Sequence, residues 1–131
     1  MNFTSPKLNI DEKASDKLID SSISALKDEV DSFAILAESE MNYVQVLVTE
    51  HGFVVQFQNG SIDEHFEFNT YLSRPKTINL LQAYLLNSDK WQGDLPYSRV
   101  NLGSFWYNLG RTIGRFFGGI VRGFMQARNK T

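Results

Sequence analysis

A chain of 131 residues with 42% apolar and 13% aromatic content can close one hydrophobic core and is too short for two comfortable ones. It contains no cysteine, which excludes a disulfide framework, a thiolate metal site and a cysteine nucleophile. Its net charge of −2 conceals a polarity: residues 1–70 carry four Lys/Arg against thirteen Asp/Glu, and residues 71–131 carry nine against two. That asymmetry predicts either attraction between the two halves or contact of the basic end with an anionic surface.

Residues 1–10 read as a loose lead-in without the apolar run of a secretory signal. Asp11 is placed to cap a helix, with Glu12 in a first turn that favours negative charge. Ile19, Ile23, Leu26, Val30, Phe33 and Ala37 recur at alternating spacings of four and three. This stripe predicts an amphipathic helix over residues 11–38 that lies on its own sheet. The alternative is a homodimer seam, although three heptads are short for a coiled coil.

Residues 41–70 are rich in Val, Phe and Tyr and are broken at Gly52 and at Asn59-Gly60. Asn-Gly between apolar runs signals a tight hairpin. Pairing outward from it sets Phe57 opposite Ile62 and Phe53 opposite Phe66. A two-residue loop at His51-Gly52 sets Val48 opposite Val55. One face then collects Val44, Val46, Val48, Phe53, Val55, Phe57, Ile62, Phe66 and Phe68, the side of a core. The other collects Tyr43, Gln45, Leu47, Thr49, Val54, Gln56, Gln58, Asp63, His65 and Glu67. Within it Tyr43, Leu47 and Val54 form an apolar strip that is incidental, covered by the C-terminal segment, or a docking place for a protein partner.

Ser73 and Pro75 open a second helix over residues 74–87, where proline is tolerated in the first turn. Residues 88–103 read as a linker with one short strand near Tyr97–Leu102. The predicted fold class is therefore α+β: a three-stranded antiparallel meander covered by helices, in the order α-β-β-β-α-loop-α. Residues 1–103 form the α+β domain and residues 104–131 a basic tail.

The tail decides the functional reading. On a helical projection Phe105, Trp106, Leu109, Ile113, Phe116, Phe117, Ile120, Val121 and Phe124 fill one arc, while Arg111, Arg115 and Arg122 lie opposite. Gly110, Gly114, Gly118, Gly119 and Gly123 each cost a helix in water about 1 kcal/mol relative to Ala. A contact must offset that cost. Four are open: the chain's own acidic half, a bilayer interface, a protein partner and nucleic acid. Nucleic acid is disfavoured, because the bulky apolar arc is then unexplained. A spanning helix is disfavoured by the three arginines.

Enzyme signatures are sparse. No P-loop, Gly-x-Ser-x-Gly or His-Glu-x-x-His pattern occurs. Asp63, His65 and Glu67 alternate along one strand at roughly 6.6 Å steps, too far apart for all three to meet one metal, and Ser61 beside them lacks an oxyanion site; two of the three with His51 leave a metal or hydrolase site on the sheet face as a remote alternative. No cofactor or metal is expected.

The reading is a non-enzymatic, cytoplasmic protein-binding module. It holds a protein partner and docks peripherally on a membrane surface through residues 104–131. The alternative is a soluble protein that sequesters another one. Element order and size are similar to bacterial secretion chaperones and small immunity proteins, a likeness of fold order that no residue motif carries.

Overall fold

The computed structural model describes residues 1–100. Among these, seven strands form one antiparallel sheet in the spatial order β2-β1-β3-β4-β5-β6-β7. The strands are β1 (Asn2–Ser5), β2 (Ile10–Lys13), β3 (Phe33–Ser39), β4 (Asn42–Thr49), β5 (Gly52–Asn59), β6 (His65–Phe68) and β7 (Tyr97–Arg99). Two α-helices, α1 (Asp16–Ala25) and α2 (Arg74–Leu85), lie on one face. The content is α+β, but the sheet is not the expected three-stranded meander, and the order α-β-β-β-α-loop-α does not hold. The likeness to secretion chaperones and immunity proteins rested on that order and goes with it.

The lead-in is a hairpin. Pro6 opens a 3-10 turn over Pro6–Leu8, and Asn9 closes it in the left-handed region with φ 56° while its N–H donates to the Pro6 carbonyl at 3.0 Å. Proline supplies the fixed φ of the turn and asparagine tolerates the positive one. The hairpin buries Phe3 against Leu36 of β3.

The helix expected over residues 11–38 divides into β2, α1 and β3. Ser15 caps α1, its hydroxyl accepting from the Leu18 N–H at 3.1 Å. Ile19, Ile23 and Leu26 are buried as the stripe requires, but α1 stops at Ala25 and Val30 is 65% exposed. Asp31 then turns the chain with φ 62°. Phe33 to Ala37 belong to a strand with both faces covered, with Ala34 and Leu36 on the helix side and Phe33 and Ile35 on the other. A strand sheltered on both sides reads as a continuous apolar run, and such a run satisfies a 3–4 spacing as easily as a 2 spacing.

The two hairpins after β3 also form in shifted register. Thr49 pairs with Gly52 around Glu50-His51, so Val48 faces Phe53 and Val46 faces Val55. Phe57 faces Phe66, because a longer loop replaces the tight Asn-Gly turn and the Asn59 N–H donates to the Glu64 carbonyl. Both displacements are by an even number of residues. Strand side chains alternate with period 2, so an even slip leaves every residue on its expected face. Ile62 lies in the loop, outside the strands.

The core between helices and sheet joins Ile19, Ile23, Leu26, Leu80, Leu81 and Tyr84 to Phe3, Leu36, Val44, Val46, Val55 and Phe57. Arg74 ties the two helices together. Its guanidinium donates to the carbonyls of Ile23 and Leu26 at the C-terminal end of α1 and stacks 5.2 Å from the Phe53 ring centroid. Trp91, in the loop after α2, closes the same layer against Phe57, Phe68 and Tyr84.

Candidate functional site

Among the described residues, the sheet face turned away from both helices carries the main concentration of buried polar side chains. Cross-strand pairing sets Ile35, Gln45, Gln56 and Glu67 in one row and Tyr43, Gln58 and His65 in the next. Phe33, Leu47 and Val54 form a third, apolar row. Directly opposed residues on one face come within about 5.5 Å at Cβ, which is contact distance for amides and rings.

The rows are hydrogen-bonded to one another. Gln45 Nε2 donates to Gln56 Oε1 at 2.9 Å, and Gln56 Nε2 donates to Glu67 Oε1 at 2.9 Å. His65 Nε2 lies 2.9 Å from Gln56 Oε1, and its Nδ1 lies 3.3 Å from Gln58 Oε1. The Tyr43 hydroxyl donates to Gln58 Oε1 at 3.0 Å, and Gln58 Nε2 donates to Met41 Sδ at 3.3 Å. Gln45 is 4% exposed, Gln56 2% and His65 0%. One acceptor is left over: Gln45 Oε1 is buried with no hydrogen-bond donor. An orphaned buried acceptor costs about 1–3 kcal/mol until a donor reaches it.

Burial sets the titration of this network. It pushes the His65 imidazole down to about 4 and raises the Tyr43 phenol above its usual range. At neutral pH the imidazole is uncharged, and the shorter contact assigns its proton to Nε2, donating to Gln56 Oε1.

Of the sequence-predicted strip, Tyr43 is buried and Leu47 and Val54 are half-buried on this face. The strip is broader than the sequence indicated, because Phe33 and Ile35 of the unforeseen strand β3 continue it. Gln45, Gln56, Gln58 and His65 were expected on a solvated face and are instead buried. Their residue types held the signal: amides, Tyr and His alternate with the core side chains where a wet face would carry Lys and Glu.

Asp63, His65 and Glu67 do not converge. Asp63 is exposed in the β5–β6 loop, whereas His65 and Glu67 sit in different rows and each contacts Gln56. Among the described residues no group of His, Cys, Asp and Glu is arranged to hold a metal ion. Ser61 lies in the same loop, exposed.

A separate cleft of about 250 Å³ lies on the helix side beyond the end of α2, lined by Glu38, Asn42, Asn59, Tyr84, Asp89 and Trp91 among others. Burial, and then the Glu38 carboxylate, push the Tyr84 phenol up to about 12.

The predicted tail contacts Phe105, Trp106, Leu109, Arg111, Ile113, Arg115, Phe116, Phe117, Ile120, Arg122 and Phe124 lie outside the described residues. Among the described residues no helix is long and apolar enough to cross a membrane. Comparison of the chain with protein-family models, with curated proteins and with solved structures gives no match.

Proposed function

We propose that the chain is a non-enzymatic docking module. The two-layer domain holds a protein partner on the sheet face opposite its helices, and residues 104–131 dock on an anionic membrane surface. The observation that carries the reading is a sequence pattern: on a helical projection Arg111, Arg115 and Arg122 fall opposite the Phe, Ile and Val positions, in a chain whose first 70 residues hold thirteen acids. Aromatic and aliphatic side chains enter the interfacial region of a bilayer while arginines meet headgroups, each contributing about 1 kcal/mol near an anionic surface.

The sheet face supports the partner half of the reading. Its half-buried positions, Leu47, Val54 and Glu67, offer an apolar row and a carboxylate beside amides fixed by hydrogen bonds. That combination suits an amphipathic segment rich in donors.

Co-sedimentation of the full chain with vesicles containing anionic lipid tests the membrane half. Replacing Arg111, Arg115 and Arg122 by Gln should weaken partitioning about 100-fold, from about 1 kcal/mol per base. Wild-type protein that stays in the supernatant at low salt would refute it. In that case the second reading gains: a protein that sequesters another through the same sheet face without a membrane.

A further inference from the structure

We propose that the cleft beyond the end of α2 binds a primary alkylammonium group, the chemistry of a lysine side chain or of a free amine. Glu38, Asp89 and the Tyr84 hydroxyl hold it against Trp91. The cleft lies on the helix side of the sheet, so the inference is independent of the partner face and of the membrane reading.

The backbone builds the walls. α2 ends where Asn87 takes the left-handed conformation, φ 55°. The N–H groups of Asn87 and Ser88 return to the Tyr84 and Ala83 carbonyls at 3.0 and 3.2 Å. Asparagine tolerates that conformation and so closes the helix. The Trp91 N–H then donates to the Ser88 carbonyl at 3.2 Å, which turns the indole back onto Phe57. On the sheet side, β3 pairs Ala37 with Tyr43 and Ser39 with Asn42, so Glu38 is the extra residue of a β-bulge. Bulges re-aim side chains. This one brings Glu38 to the cleft beside Asn42 and Asn59.

The lining calls for donors. Among the described residues it includes two carboxylates, Glu38 and Asp89, and no Lys, Arg or His. Neither carboxylate has an ion pair or hydrogen bond among those residues. Tyr84 is 9% exposed, and its hydroxyl makes no hydrogen bond among them either. The Glu38 charge nevertheless acts on that phenol. A donor seated between the two would serve both. An ammonium group brings three donors and no acceptor. The C-terminal end of α2 adds the negative pole of a helix. An anionic ligand would meet like charge on every side.

The remaining wall suits an alkyl stem. Trp91 and Tyr84 stand 4.9 Å apart, centroid to centroid, at 74°, and form an aromatic corner. Aliphatic stems pack on such rings while the cationic head interacts with their faces. The volume of about 250 Å³ falls below the range of about 300–1,000 Å³ typical of drug-sized ligands. The occupant is therefore of side-chain size.

Titration of the full chain with n-butylammonium chloride at constant ionic strength tests the site. In proton–nitrogen correlation NMR the Trp91 indole N–H and the Asn42 side-chain amide should shift saturably. n-Butanol, the neutral analogue, should bind at least about 10-fold more weakly, since hydrogen bonds to charged groups are the stronger ones. Glu38→Gln should weaken n-butylammonium about 10-fold and Tyr84→Phe about 3-fold. The butanol comparison uses the unaltered protein, so it stands even where a variant fails to fold. Nα-acetyl-lysine methylamide separates the sources: tighter binding than n-butylammonium assigns the site to a lysine side chain, and equal or weaker binding assigns it to a free amine. Absence of a saturable shift with n-butylammonium overturns the proposal. So does equal binding of n-butanol, or an affinity that Glu38→Gln leaves unchanged.

Discussion

His65 of β6 reaches diagonally to Gln56 of β5, with imidazole Nε2 2.9 Å from carboxamide Oε1 and the ring fully buried. The same carboxamide donates to Glu67, so a neutral histidine, an amide and a carboxylate form one chain of hydrogen bonds inside the sheet face. Burial disfavours the charged form of an imidazole held there.

Stability should therefore depend on pH through His65. Its folded-state value of about 4 lies below the unfolded value of 6.5. Between these values the unfolded chain binds the extra proton, so its population rises as pH falls. The contribution is complete above pH 6.5 and is lost progressively as pH falls toward 4, on the order of 3 kcal/mol in total. Urea unfolding at pH 7 and pH 4.5 should show a fall in midpoint that is smaller in His65→Gln. Equal slopes for the two proteins would rule out His65 as the source.

Arg74 should matter more than a surface arginine does. It meets the last carbonyls of α1, which have no partner within the helix, and lies on the Phe53 ring. A charge-assisted bond to a helix end and a cation–π contact together suggest a loss of about 2–3 kcal/mol for Arg74→Met. Arg74→Lys should recover part of it, since a point charge reaches one carbonyl but does not stack as a planar fork does. Chemical denaturation compares the three. A loss under about 0.5 kcal/mol in Arg74→Met would place the residue among ordinary surface positions.

Two glycines separate steric cost from backbone cost. Gly52 has φ 126°, and a Cβ there would meet the Leu72 carbonyl oxygen at 2.9 Å. That carbonyl accepts the Phe53 N–H at 2.8 Å, so the neighbour cannot move without breaking a bridge. Gly60 has φ 88° with nothing within 4 Å of its Cβ position. Gly60→Ala should cost about 1–2 kcal/mol of conformational strain alone. Gly52→Ala should cost clearly more, with weakened amide protection at Phe53 and Leu72 in hydrogen exchange. Similar losses for the two variants would contradict the close approach.

What could be read from the residues followed from periodicity. The core side of β4 and β5 was legible because Val44, Val46, Val48, Phe53, Val55 and Phe57 alternate, and alternation survives an even slip in register. The loop lengths that set the register were not legible, since Asn59-Gly60 forms part of a longer turn. β3 was hidden because Phe33–Ala37 is covered on both faces and so lacks alternation. β1 and β2 were hidden because four-residue strands on either side of a proline turn carry too few apolar positions to show a period. The burial of Gln45, Gln56 and His65 left only a faint trace in the sequence, amides and a histidine standing where a wet face would carry Lys and Glu.

Phe57 should be the aromatic position whose loss is felt farthest. Its ring lies 5.1 Å from Phe66, 5.5 Å from Phe68, 4.9 Å from Trp91 and 5.1 Å from Tyr97, centroid to centroid. It thereby joins β5 to β6, β7 and the loop after α2. Aromatic pairs contribute about 0.5–1.5 kcal/mol each beyond the area they bury, and a leucine in that space keeps much of the area but none of the edge-to-face geometry. Phe57→Leu should therefore cost about 2 kcal/mol or more. It should also loosen Trp91, which depends on Phe57 and Tyr84 for its packing. In a Trp106→Phe background the indole band of the near-ultraviolet circular dichroism, at wavelengths beyond the tyrosine bands, reads Trp91, and it should fall at temperatures where the far-ultraviolet spectrum is unchanged. Phe66→Leu is the comparison: Phe66 is half-buried and stacks on Phe57 and Tyr97 without reaching the Trp91 loop, so its loss should lower stability less and leave the indole signal in place. If both variants dim Trp91 equally, the loop is held by something other than the Phe57 ring.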